Sequence, residues 1–209
     1  MRYLTVLFLT AALAGIASAD ITDLTIDCFP TPATVDLVPP GEIPADTYVT
    51  NDVMLTVDSD WLSAILIVTP DTTGQIYQNA LGGNTPPNSA LFAAYATLEY
   101  DTYVSDGLGG APSLAAAVDY GYSSVVFDED ELALTYYTTA TEIGELHMAR
   151  VTMLNTASGE WTFVATASPE GGPKVIAEGM IDDGCMVPEP ATLGLLAIGG
   201  LGVLIRRKR

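Results

Sequence analysis

The chain has a single histidine, His147, in 209 residues. That scarcity removes much hydrolytic chemistry, because Ser-His-Asp and Cys-His sites need an imidazole as base. His147 would have to serve any such site. It alternates with Leu146 and Met148 in a strand-like run, so it reads as a surface or structural residue. No G-x-S-x-G elbow supplies a nucleophile, and no H-E-x-x-H supplies a zinc site. The Gly-rich stretch SDGLGGAP at 105–112 is followed by no lysine, so it is not a phosphate cradle. Carboxylate pairs of the kind used on glycosides arise by chance among so many acids and carry no weight.

Positive charge is almost as rare: 7 Lys and Arg stand against 26 Asp and Glu, a formal net charge of −19. Five of the seven (Arg2, Arg206, Arg207, Lys208, Arg209) lie at the two ends. Residues 20–187 keep only Arg150 and Lys174 against 25 acids, a formal charge of −23. A surface of that sign excludes nucleic acid and anionic membranes as partners, since phosphates need clustered bases. It favours solubility, divalent cations or a salty setting. Long amphipathic helices and repeats of fixed period are also missing.

What is present is organised by the ends. Residues 1–19 combine Arg2, an apolar run and Ala17-Ser18-Ala19, the pattern of a cleavable signal peptide. The mature chain is expected to start at Asp20, a retained N-terminal anchor being the alternative. The last 23 residues read VPEPATLGLLAIGGLGVLIRRKR. Residues 191–205 carry no charge. As a helix they would rise about 22 Å, short of a ~30 Å hydrocarbon core. Pro190 suits the first position of such a transmembrane helix. Arg206, Arg207, Lys208 and Arg209 form a basic stop that would hold the cytoplasmic side. The two ends together place everything between them outside the cytoplasm. A plain single-pass anchor is the simpler reading of the tail.

The order of these parts resembles the PEP-CTERM tail of bacterial exported proteins, also labelled an ice-binding protein C-terminal domain. Val187, Pro188, Glu189 and Pro190 match its sorting motif, 191–205 its span and 206–209 its basic end. The resemblance implies an exosortase as partner at the membrane, then a place at the cell surface or outside the cell. Residues 82–110 are similar to exported PEP-CTERM proteins of planctomycete-like bacteria, a likeness that brings no activity with it. No T-x-T ladder gives reason to expect ice binding.

Between the ends, 168 residues are enough for one domain with a real core. Residues 20–46 hold Pro30, Pro32, Pro39, Pro40 and Pro44 and read as an irregular arm with at most short edge strands. From 47 to 186 the pattern is of strands. Val53, Leu55 and Val57 alternate with Met54, Thr56 and Asp58; 61–68 is a continuous apolar strand; 98–104, 118–127, 132–138 and 175–181 follow. Residues 146–154 and 161–167 read as a hairpin across 155–159, with Trp161, Phe163 and Ala165 on one face. The expected class is all-β, an antiparallel β-sandwich of jelly-roll or immunoglobulin-like kind.

Three chemical expectations remain. Calcium is the better-motivated metal: Asp58 and Asp60 stand at i and i+2, and Asp128 and Asp130 belong to a run of four acids. Neither stretch fits an EF-hand, and a solvated acidic turn is the competing reading. Ten tyrosines, several clustered, suit either sugar stacking or ordinary strands. The only two cysteines, Cys28 and Cys185, sit near opposite ends of the exported part and are expected to form a disulfide. The alternative leaves one thiol free for lipid or another chain. The overall expectation is a non-enzymatic exported protein of the cell surface or extracellular matrix. An adhesive module binding carbohydrate, such as an extracellular polysaccharide, or calcium comes next; a secreted hydrolase comes last.

Overall fold

The structure is a computed structural model describing residues 21–37, 41–57, 61–137, 143–167 and 174–189. The expected signal peptide, Asp58 and Asp60, the span 191–205, and Pro190 with the four terminal bases lie outside these residues. Among the described residues no helix is long and apolar enough to cross a membrane.

Among the described residues thirteen strands follow in chain order. They are β1 (Ile21–Pro30), β2 (Thr34–Val35), β3 (Glu42–Ile43), β4 (Tyr48–Val57), β5 (Trp61–Pro70), β6 (Tyr103–Gly107) and β7 (Ser113–Ala115). Then come β8 (Val126–Phe127), β9 (Leu132–Tyr137), β10 (Gly144–Leu154), β11 (Gly159–Ala167), β12 (Lys174–Asp182) and β13 (Cys185–Pro188). One antiparallel sheet has the order β1-β4-β10-β6, and the other β13-β12-β11-β5-β9-β7, with β8 also on β9. β2 and β3 pair only with each other.

Period two decides which residues turn inward. Val53, Leu55 and Val57 of β4, and Leu146 and Val151 of β10, meet Leu66 and Val68 of β5, Leu134 of β9 and Phe163 of β11 in one cluster. Each such side chain contributes about 1.5–3 kcal/mol by leaving water. β5 lies between β11 and β9, so its outward Ile65 and Ile67 are half-buried too. That explains its unbroken apolar run.

β10 departs from strict alternation. Its register on β4 slips between His147 and Ala149, so Met148 and Ala149 are both fully buried. The bulge restores the outward phase at Arg150, and His147 and Arg150, three apart, share the outer face.

Several expectations need correction. The Pro-rich arm contains a ten-residue strand, β1, paired with β4 along its length. Its one proline, Pro30, is tolerated because it ends a strand at the sheet edge. The stretch 98–104 is not one strand: Ala96–Tyr100 is a 3-10 turn and the strand starts at Tyr103. Leu98 N donates to Tyr95 O and Asp101 N to Leu98 O, local bonds that close turns and take these groups out of any ladder. The run 118–127 is a 3-10 turn ended by Gly121 at φ 92, then the short β8. Finally, β10 and β11 form no hairpin. They belong to opposite sheets, and 155–158 carry the chain across the core.

Candidate functional site: the sorting strand and its supports

The C-terminal strand begins with a tight turn. Asp183 (φ 49) and Gly184 (φ 76) link β12 to β13 through two residues at positive φ, the geometry of a type I′ hairpin. Asp-Gly is the strongest short-range signal for that turn, yet the sequence reading ended the domain's strands at Ile181. A Cβ on Gly184 would stand 2.3 Å from Val49 Cγ2, so the turn also needs glycine for space.

β13 pairs Cys185 with Asp182, Met186 with Ile181, Val187 with Met180 and Pro188 with Gly179. One residue further on, Glu189 N donates to Glu178 O at 2.9 Å. Two supports hold the strand. Asn51, fully buried in β4, donates from Nδ2 to Gly184 O (2.9 Å) and Val151 O (3.1 Å), and its Oδ1 accepts from Met186 N (2.8 Å). The other is covalent: Cys28 and Cys185 form the expected disulfide, with Cα atoms 5.7 Å apart. It joins β1 of one sheet to β13 of the other. Gly179 lets β13 come close; a Cβ there would stand 2.1 Å from Val187 O. Val187, Pro188 and Glu189, read as part of a tail, are thus built into the folded sheet.

On the outer face of the four-stranded sheet, the bulge gathers the only histidine and one of the two bases between the terminal segments around Asp52. Arg150 grips Asp52 bidentately, Nε to Oδ1 and Nη2 to Oδ2, both at 2.7 Å. His147 Nε2 lies 3.1 Å from Asp52 Oδ1, and Arg150 Nη1 donates to Glu99 O at 2.6 Å. Tyr103 meets the His147 ring edge to face and lies beneath the guanidinium. Burial pushes the Asp52 carboxyl up, but hydrogen bonds from Arg150 and His147 outweigh it and hold the group at about 2. The cluster neutralises its own charge and is a brace for β4, β10 and β6.

A second polar network was not foreseen. Asp36 Oδ1 and Oδ2 accept from Thr97 N (2.8 Å) and Oγ1 (2.9 Å), and Thr97 Oγ1 accepts from Asn79 Nδ2 (2.7 Å). Asn79 N donates to Asp101 Oδ1 (2.7 Å) and Gly83 N to Asp101 Oδ2 (3.2 Å). Asp101 is fully buried. Burial raises its pKa to about 6 against the pull of these amides and that of Thr102. The network ties parts of the long 71–102 connection to one another and to Asp36, the residue after β2.

The acidic run forms the β8–β9 turn. Asp128 Oδ1 accepts from the amides of Asp130 and Glu131, both at 3.0 Å, and Asp130 Oδ1 accepts from Gly74 N at 2.7 Å. Glu131 Oε1 accepts from Tyr122 Oη. These carboxylates satisfy backbone amides and a phenol. Asp128 and Asp130 therefore share a turn, and among the described residues no group of three or more His, Cys, Asp or Glu is placed to hold a metal ion. The tyrosines do not share a face: Tyr136 is fully buried in the core, Tyr137 is exposed, and Tyr48 stacks edge-on against Tyr77.

No curated protein matches the chain. Residues 187–209 match the family model described as the PEP-CTERM protein-sorting motif. The match bears on the tail alone and does not extend to the planctomycete-like resemblance of 82–110 or to ice binding. It marks a protein exported to the cell surface and processed by an exosortase at the membrane. The folded domain described above thus runs without interruption into a match to the PEP-CTERM protein-sorting motif, whose first two residues, Val187 and Pro188, end its last strand.

Proposed function

We propose that this protein is a non-enzymatic component of the cell surface or extracellular matrix, a two-sheet β-sandwich held at the membrane by residues 191–205 until an exosortase processes its tail. The observation that carries this reading is the direct continuity of β13 with the sorting motif, which leaves no separate linker or second domain between them. The polar clusters support a structural role. His147, Asp52 and Arg150 are occupied with one another, and Asp36 and Asp101 are spent on loop amides. The −23 charge suits a soluble, non-aggregating domain in a crowded matrix.

The test is fractionation of cells with and without the processing enzyme, using the full chain. Loss of the enzyme should shift the domain from the surface or medium into the membrane fraction. Replacing Pro188 and Glu189 by Ala should do the same with the enzyme present. Identical distribution in all strains would refute the reading.

A further inference from the structure

The fold divides the sorting motif. We propose that Val187, Pro188 and Glu189 belong to the folded domain, and that the processing enzyme cuts on the C-terminal side of Glu189, leaving β13 in place on the released protein. This rests on the processing reading above and adds where the cut falls and why.

The hydrogen-bond phase of β13 carries the argument. Glu189 N donates inward to Glu178 O, and Val187, two residues earlier, pairs with Met180. Residues 187 and 189 thus direct their amides into the sheet, and 186 and 188 face the outer edge. At that edge Met186 N is already held by Asn51 Oδ1, and Pro188 has no N–H to offer. From Met186 to Glu189 no amide N–H is left for an enzyme cleft or an added strand to engage. Enzymes that cut or transfer peptides take their substrates as extended chain drawn away from other partners. To present a bond before Glu189, β13 would have to leave β12.

Leaving is opposed from the other end. Cys185 is bonded to Cys28, whose strand is paired with β4 residue by residue. Stripping β13 would also draw Met186, 2% exposed, out of the core and uncover the edge of β12. A cut beyond Glu189 leaves these contacts in place. It also gives the first proline of the motif a use after release. Pro188 remains on the terminal strand of the seven-stranded sheet as a guard against edge-to-edge pairing.

The experiment measures the intact mass of the released domain from cells expressing the full chain with its processing enzyme. A C-terminus at Glu189 or later is expected. A major product ending at Met186, Val187 or Pro188 overturns the proposal while leaving processing intact; recovery of the uncut chain alone overturns both. A second measurement needs no processing: amide exchange on the full chain in detergent micelles. Val187 and Glu189 amides should exchange at least about tenfold slower than unstructured amides, and reduction of the disulfide should lessen that protection. Full-speed exchange at both positions in the oxidised protein overturns the proposal.

Discussion

Replacing Arg150 by Met keeps much of the side-chain volume and removes the larger of the two partners that hold Asp52 ionised, His147 being the other. The Asp52 carboxyl sits at about 2 where its ordinary value is 3.8. At 1.36 kcal/mol per pKa unit, the ionised group is favoured by about 2.4 kcal/mol in the folded state. Side-chain exposure is 17% for both partners, so solvent screening trims this only modestly. The bond from Arg150 Nη1 to Glu99 O is lost as well, about 1 kcal/mol that does not depend on Asp52. The variant should lose about 3 kcal/mol at pH 7. For a domain of this size that lowers Tm by roughly 6–12 °C.

The pH dependence separates the two parts. Because the folded pKa is lowered, the ion-pair contribution is present above 3.8 and disappears as pH falls through about 2. Thermal unfolding followed by circular dichroism at pH 7 and pH 2 should show the deficit shrinking to about 1 kcal/mol at the lower pH. An equal deficit at both values would mean that the guanidinium's contacts with Tyr103 and Glu99 O, not its pair with Asp52, stabilise the sheet. No deficit at pH 7 would mean that desolvation cancels the pair.

Three other outcomes are expected. Changing Cys28 and Cys185 together to Ser opens a sequence separation of 157 residues. Chain entropy puts the bridge at about 5 kcal/mol, and a loss of about 2–4 kcal/mol in denaturant unfolding is expected; unchanged stability would refute the brace. Asp101 acts with the opposite sign to Asp52. Its folded pKa is raised to about 6, so its stabilising effect is full below 3.8 and lost as pH rises through 6. On the order of 2–3 kcal/mol should separate pH 4 from pH 7 through this group, and Asp101→Asn should flatten the profile in that window. Parallel profiles would contradict it. In Gly82→Ala the new Cβ would stand 1.6 Å from Asp101 Oδ2, at a cost of about 1–3 kcal/mol. Gly83→Ala meets nothing within 4 Å and should change stability by less than about 0.5 kcal/mol; equal effects would show the network to be slack.

Much of the molecule was legible from local pattern. The alternation of Val53, Leu55 and Val57, and of Trp161, Phe163 and Ala165, marks strand and inward face, because burial on one side of a sheet imposes period two on neighbours in the chain. The disulfide followed from there being only two cysteines. The tail was readable because a sorting motif acts through residues in linear order.

Tertiary structure decided what depends on partners far apart in sequence. Asp52 and Arg150 are 98 residues apart, and a bulge at Met148 that no local pattern marks sets them side by side. Asp36 and Thr97 are 61 apart, so burial of a charge-bearing loop network could not be read from composition. Asp183-Gly184 did announce a hairpin, but four residues after a turn are too few to show a period. Whether Val187 to Glu189 were tail or strand was decided by what waited for them: the open edge of β12, the side chain of Asn51 and the bridge to Cys28.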